Sequence, residues 1–308
     1  MRKEEAARDC ATKEPPVIGE HNLNLLHGYI RRMPSLSTTA AKVLEICNSP
    51  NTSPHELNRV ISLDPVITGH VLKLVNSAYC SLLEKVNTLT RAIILVGLNT
   101  VTNLALSTAV LDKLGGKDSF QALSMGDFWT HSLCVGVTAK SIAALKGIPA
   151  AKHEEFFVAG LLHDLGKIPL NKYFAGAYAR ALEWAHSEPR PLNCAENAIL
   201  GIDHCVVGKM IADKWQLSGM MKDALLFHHN PSEVEGENRE FVMIVALANT
   251  YANSAQIGSS GDSPPSEATK NDLIEEVGMS WDDLSALHDH VISEIEKAKV
   301  FLQVIEKG

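Results

Sequence analysis

Apolar positions recur three and four residues apart along most of the chain. No segment keeps a convincing period-2 alternation, so the pattern predicts an all-α fold. Ser37-Thr38-Thr39 can cap a helix carrying Val43, Leu44 and Ile46. Ser53-Pro54-His55-Glu56 supplies an N-cap, a proline suited to the first helical position and an acid that can close a capping box. Leu57, Val60 and Ile61 then share one face. Asp64-Pro65 starts another helix, with Ile67, Val71, Leu74 and Val75 inward, and Thr90–Val110 reads as two helices separated near Gly97.

Leu114-Gly115-Gly116-Lys117-Asp118 breaks the pattern and is the expected boundary between lobes. Helical spacing resumes over Met125–Leu145, ended by Gly147 and Pro149, and again over Glu154–Leu162. Further helices are expected near 172–186, 193–200, 206–215, 220–228 and 241–255. Gly258–Ser266 has the Gly/Ser/Pro composition of a linker. Beyond it, Thr269–Glu306 reads as two amphipathic helices whose stripe Leu284, Leu287, Val291, Ile295 and Val300 is expected to pack onto the body. The expected organisation is a flexible N-terminus (1–20), a helical lobe (21–115), a second helical lobe (116–258) and a linker with C-terminal helices (259–308).

Composition narrows the class. The chain has 308 residues, of which 45% are hydrophobic and 21% charged, enough apolar material for a substantial core. With 28 basic against 36 acidic residues the net charge is −8, which disfavours a nucleic-acid polymer as partner. A small phosphate ligand stays open, because a metal reverses the local field. Six cysteines without a CxxC pair are expected as reduced thiols. The N-terminal MRKEEAARDC has no apolar segment, and the longest apolar stretches, Ala92–Leu98 and Phe241–Ala248, are too short to cross a bilayer. A cytoplasmic location without a membrane partner is the resulting expectation.

Most of the 13 histidines sit among polar residues. A subset recurs at expected helix ends. Asp127 and His131 are four apart on one helix and share a face. His163-Asp164 follows the apolar run Phe156–Leu162, with Gly166 letting the chain turn. His204 precedes a helix, and His228-His229 close another before Asn230-Pro231. Adjacent helical residues point about 100° apart, so a His-His pair can serve two metals. Imidazole with carboxylate suits one or two divalent transition metals (Fe, Mn, Ni or Zn) rather than calcium. Lys167, three after Asp164, is placed to meet a phosphate oxygen.

The segment GLLHDLGK (160–167) resembles the core motif of the HD superfamily of metal-dependent phosphohydrolases. IDHCVVGKMIADKW (202–215) followed by ALLFHHNP (224–231) resembles the HDOD family, the HD-related output domains of bacterial signalling proteins. DPVITGHVLKLVNSAYC (64–80) and RAIILVGLNTVTNLAL (91–106) are similar to that family's N-terminal segments. The resemblance spans roughly Asn22 to Gln256. It implies an all-α fold with a helical N-terminal lobe, an HD-like C-terminal lobe and a helical tail after it. By similarity to the HD-GYP phosphodiesterases, which hydrolyse cyclic di-GMP at a two- or three-metal centre, His131, His163, Asp164, His204, His228 and His229 match metal ligands. Asp127 matches an acidic ligand and Lys167 the phosphate-facing lysine. Two positions depart. The final HD aspartate aligns with Asn249, a poorer ligand, and HHNPSEVEG replaces the Gly-Tyr-Pro segment of that family.

Three functions follow as alternatives. One is a bacterial regulatory protein that binds metal, senses a nucleotide or cyclic dinucleotide and signals to a partner protein without efficient hydrolysis. A second is a phosphohydrolase in which metal activates water for attack on phosphorus, with Asp164 and Lys167 in the chemistry. In the third, the histidines are hydrogen-bonded helix ends without metal.

Overall fold

The computed structural model describes residues 20–33, 36–47, 53–114, 122–187 and 190–305. Every regular element among them is helical, as the apolar spacing requires. The flexible N-terminus expected before residue 20 and most of the expected 114–118 break lie outside the described residues.

The helices before residue 115, termed the first lobe, are α1 (Glu20–Arg32), which packs against the helix that starts at His204, and α2 (Thr38–Cys47), α3 (Pro54–Ile61), α4 (Pro65–Val75), α5 (Leu89–Val96) and α6 (Leu98–Leu114). Its caps act as their residue types dictate. Ser53 Oγ accepts from Glu56 N, and Asp64 Oδ1 accepts from Val66 N and Ile67 N. Helices α2 to α5 pack around α6, burying Val43, Leu57, Val71, Leu74, Ala92 and Leu104. Helices α5 and α6 meet at Gly97 with a bend of 119°.

The second lobe comprises α7 (Met125–Leu145), α8 (His153–Leu162), α9 (Lys167–Tyr173), α10 (Ala175–Ser187), α11 (Leu192–Leu200), α12 (His204–Lys214), α13 (Gly219–Phe227) and α14 (Arg239–Ala255). Helices α7, α8 and α14 pack against one another at its centre. Each is apolar nearly all round because each is buried nearly all round. One long helix expected near 172–186 is instead two, since α9 begins at Lys167 directly after the His-Asp turn and breaks at Phe174.

The tail forms α15 (Glu267–Val277), α16 (Trp281–Ala286), α17 (His288–Ala298) and α18 (Leu302–Ile305), more pieces than the two expected. Helix α15 packs on α14, α17 on α7 and α18 on α6, so the tail touches both lobes. Of the expected stripe, Leu284, Val291 and Ile295 are fully buried. Tyr79, Phe157 and Phe301 bring first lobe, second lobe and tail together, with ring centroids 5.0–5.1 Å apart. Tyr79 Oη donates to Glu154 Oε2 at 2.7 Å, and Lys140 pairs with the same carboxylate.

Among the described residues no single helix is long and apolar enough to cross a membrane. Cys80, Cys134 and Cys205 are free thiols, but Cys194 is disulfide-bonded, which corrects the expectation of reduced thiols throughout.

Candidate metal centre

The histidines at helix ends converge because each end is built to aim one ring nitrogen inward. His163 is the C-cap residue of α8, and its Nδ1–H donates to Gly160 O at 2.7 Å. His228 caps α13 in the same way, with Nδ1 3.1 Å from both Ala224 O and Leu225 O. A helix C-terminus leaves carbonyls without intrahelical donors. Each imidazole satisfies one and turns its Nε2 away from the helix. Both helix ends also point their partial negative charge at the site, a field that favours a cation.

His204 opens α12, and Glu196 fixes it from α11. Glu196 Oε2 accepts from His204 N at 2.8 Å and from Nδ1 at 2.5 Å, with both side chains fully buried. A carboxylate on the far nitrogen is the usual partner of a metal-ligating histidine. The result is an Nε2–Nε2 separation of 3.2 Å between His204 and His228, and 3.1 Å between His204 and His229. His204 and His228 each give their Nδ1–H to an acceptor, so their Nε2 atoms face each other. Two nitrogens this close need a cation between them, which a shared proton or a metal ion can supply. His228 shows the same demand. Burial opposes its charged form, yet Cys205 and Asp164 outweigh burial and hold its pKa up at about 9. The His131 imidazole is pushed down to about 3 by burial, with His163 adding to the effect, so it stays neutral and able to ligate.

Asp164 is fully buried beside these rings. Its Oδ2 lies 3.2 Å from His163 Nε2 and 2.9 Å from Lys167 Nζ, and its Oδ1 lies 3.4 Å from His204 Nε2. Burial pushes the Asp164 carboxyl up, but His163 and Lys167 outweigh that and keep it ionised well below the ordinary carboxylate range. Neither His163 Nε2 nor Asp164 Oδ1 has a hydrogen-bond partner. The chain turns at Gly166 as expected, and the glycine also serves close approach. A Cβ at that position would meet His204 O at 1.9 Å and Gly208 N at 2.7 Å, so only glycine lets the His-Asp turn lie against α12.

The donor atoms form overlapping groups: His131, His163 and Asp164; then Asp164, His229 and Asp262; then His204, Cys205, His228 and His229. Within each group they lie within 4.8 Å of one another. This donor set, imidazoles with buried carboxylate and orphaned nitrogen, fits a divalent transition metal.

Three expected site residues are not among the clustered donor atoms. Asp127 shares a helix face with His131, but at the first turn of α7 its side chain is exposed. It is the Asp127 main-chain oxygen that meets the site's surroundings, accepting from Ser259 N at 3.0 Å. Asn249 is buried on α14, yet its Oδ1 accepts from His131 Nε2 at 3.0 Å and from Asn253 Nδ2 at 3.1 Å. Both lone pairs are used. Asn249 therefore holds His131, leaving His131 Nδ1 bare and unpartnered. Lys167 is fully buried, and its ammonium meets Asp164, Ser260 O at 3.1 Å and Asp262 Oδ2 at 2.5 Å, so no donor faces an open phosphate position.

Sequence reasoning missed Glu196, Cys205 and Asp262. Cys205 Sγ lies 3.9 Å from His228 Nε2. Its only sequence signal was adjacency to His204.

Comparison with known proteins gives the family and the fold. The HDOD domain pattern matches residues 33–231. An uncharacterized Treponema pallidum (strain Nichols) protein is 23% identical over 217 residues, 70% of this chain, and the chain spans 41% of that protein's length. The crystal structure of an HDOD domain protein of unknown function from Geobacter sulfurreducens is 25% identical. It superposes with TM-score 0.72, covering 91% of this chain and 97% of its own. A Marinobacter aquaeolei VT8 structure, provisionally named a signal transduction protein, has TM-score 0.72 at 18% identity over 93% of this chain and 66% of its own. With about two thirds of its length inside the family pattern, the chain belongs to the HDOD domain family.

Proposed function

We propose that this chain is a regulatory HDOD protein. Its second lobe holds one or two divalent transition metals between His131, His163, Asp164, His204, His228 and His229, and it passes that state to a signalling partner. The observation that carries the reading is the convergence of the His204 and His228 Nε2 atoms, 3.2 Å apart and beside Asp164 in a fully buried site. Family membership and the signal-transduction name of the Marinobacter protein support the regulatory half.

A divalent ion held there would supply Lewis acidity and a bound water of lowered pKa. The chain's own residues favour holding over turnover. Lys167, the cation that would meet a phosphoryl oxygen, is already committed to Asp164, Ser260 O and Asp262. A second reading, a phosphohydrolase acting on a nucleotide or cyclic dinucleotide, is favoured by one observation: an ionised, fully buried Asp164 next to that lysine.

Metal analysis of protein purified without chelator, paired with hydrolysis assays on cyclic dinucleotides and nucleotides, separates these. The expected result is bound metal that Asp164→Ala removes, and no turnover at full occupancy. Metal-free protein would sink the reading, and turnover abolished by Asp164→Ala would replace it with the enzyme.

A further inference from the structure

The segment 258–263 has the composition of a linker, yet it is built into the metal centre. Ser259 N donates to Asp127 O at 3.0 Å, and Ser263 Oγ donates to Ala185 O at 2.8 Å. Ser260 is fully buried and gives its carbonyl to Lys167. Gly258 sits at φ +67° where a Cβ would meet His131 N at 2.4 Å and Asp127 O at 2.5 Å, so this segment needs glycine to lie against α7. Its path delivers Asp262, whose side chain is only 5% exposed.

The two oxygens of Asp262 have different surroundings. Oδ2 is held by Lys167 Nζ at 2.5 Å and Ser260 Oγ at 3.0 Å. Oδ1 has no hydrogen-bond partner, and the atom it faces is His229 Nε2, 3.8 Å away. A buried carboxylate oxygen left bare is costly unless a cation or donor meets it. The same residue groups with Asp164 and His229 within metal-bridging range. On the other side of the site Asn249 is neutral and already used by His131 and Asn253.

We propose that Asp262 is a ligand of the metal centre, supplying from beyond the family-matched segment the second carboxylate that Asn249 does not provide. The inference rests on the metal reading above and adds one residue to it. Asp164, Asp262 and Glu196 with one buried lysine supply the negative charge around the imidazoles that suits a divalent ion. A site closed by its own chain in this way resembles a structural or sensing site, whereas catalytic sites keep a position open.

Cobalt(II) titration of the full chain tests this, read by equilibrium affinity and by the visible ligand-field spectrum. Asp262→Asn is expected to weaken cobalt binding at least about 10–100-fold, the range seen when even an outer-shell partner is lost, and to change the spectrum. Asp262→Glu should recover most of the affinity. A second variant reads the position without relying on the stability of the first. Asp262→Cys in a Cys205→Ser background should give a thiolate-to-cobalt charge-transfer band. Cobalt bound by Asp262→Asn with unchanged affinity and spectrum, or bound by the cysteine variant without that band, overturns the role of Asp262 while leaving the metal centre standing. A wild-type chain that binds no cobalt overturns the metal reading itself, and this inference with it.

Discussion

The two lobes are built from the same element yet bury opposite kinds of polar group. Among the described residues of the first lobe, apart from Tyr79 at the seam, the buried polar side chains are Thr102, Asn103, Ser107 and Thr108, all on α6 and all hydrogen-bonded to carbonyls of their own helix. They cost little and can go unnoticed. In the second lobe the buried groups include His131, His163, Asp164, Lys167, Glu196, His204 and His228, and they bond across elements. Burying ionisable groups is expensive unless they are paired or coordinate a cation. The first lobe is packed for stability. The second spends stability to assemble charge at one point, the candidate metal centre.

Four substitutions press on this contrast. Asp164→Ala leaves Lys167 and three helix-end histidines, His163, His204 and His228, without their carboxylate. It should cost about 3–5 kcal/mol in urea unfolding of metal-stripped protein and abolish metal retention. Leu104→Ala opens a cavity in the first lobe, where Leu104 is fully buried on α6. It should cost about 2–5 kcal/mol with metal content per folded chain unchanged. If it also empties the site, the lobes are not energetically distinct in the way proposed. Glu196→Gln removes the anion from His204 Nδ1 while keeping the shape. Metal affinity should fall about 10–100-fold, measured by competition with a chromophoric chelator, with a small change in unfolding midpoint. Ser53→Ala deletes the N-cap of α3 and should cost about 1 kcal/mol, with metal affinity indistinguishable from wild type.

What the sequence reveals follows how far each signal reaches along the chain. Local devices are legible. Ser53, Asp64 and the break at Gly97 each act within one turn of helix, and the structure uses all of them. The helix-end placement of His163, His204 and His228 is legible for the same reason. Contacts between distant elements are not. Asp127 and His131 do share a helix face, but periodicity cannot show that α7 emerges from the core at its first turn. Glu196 carries no mark in its own helix, and its role comes only from how α11 lies against the start of α12. Asp262 was hidden by composition, since glycine and serine there provide close approach and buried carbonyls rather than slack. Asn249 was legible as a departure, but its partner His131, 118 residues away, was not.

Helix α8 joins two of these observations. Near its first turn Glu154 grips Tyr79 of the first lobe and Lys140 of α7, and its last residues hand the chain directly to His163 and Asp164. Ten helical residues rising about 1.5 Å each make a stiff rod of about 15 Å. With no hinge between its ends, any tilt imposed where the lobes meet is delivered to the donor atoms as displacement, and an ion that tightens those atoms pulls back on the same lever.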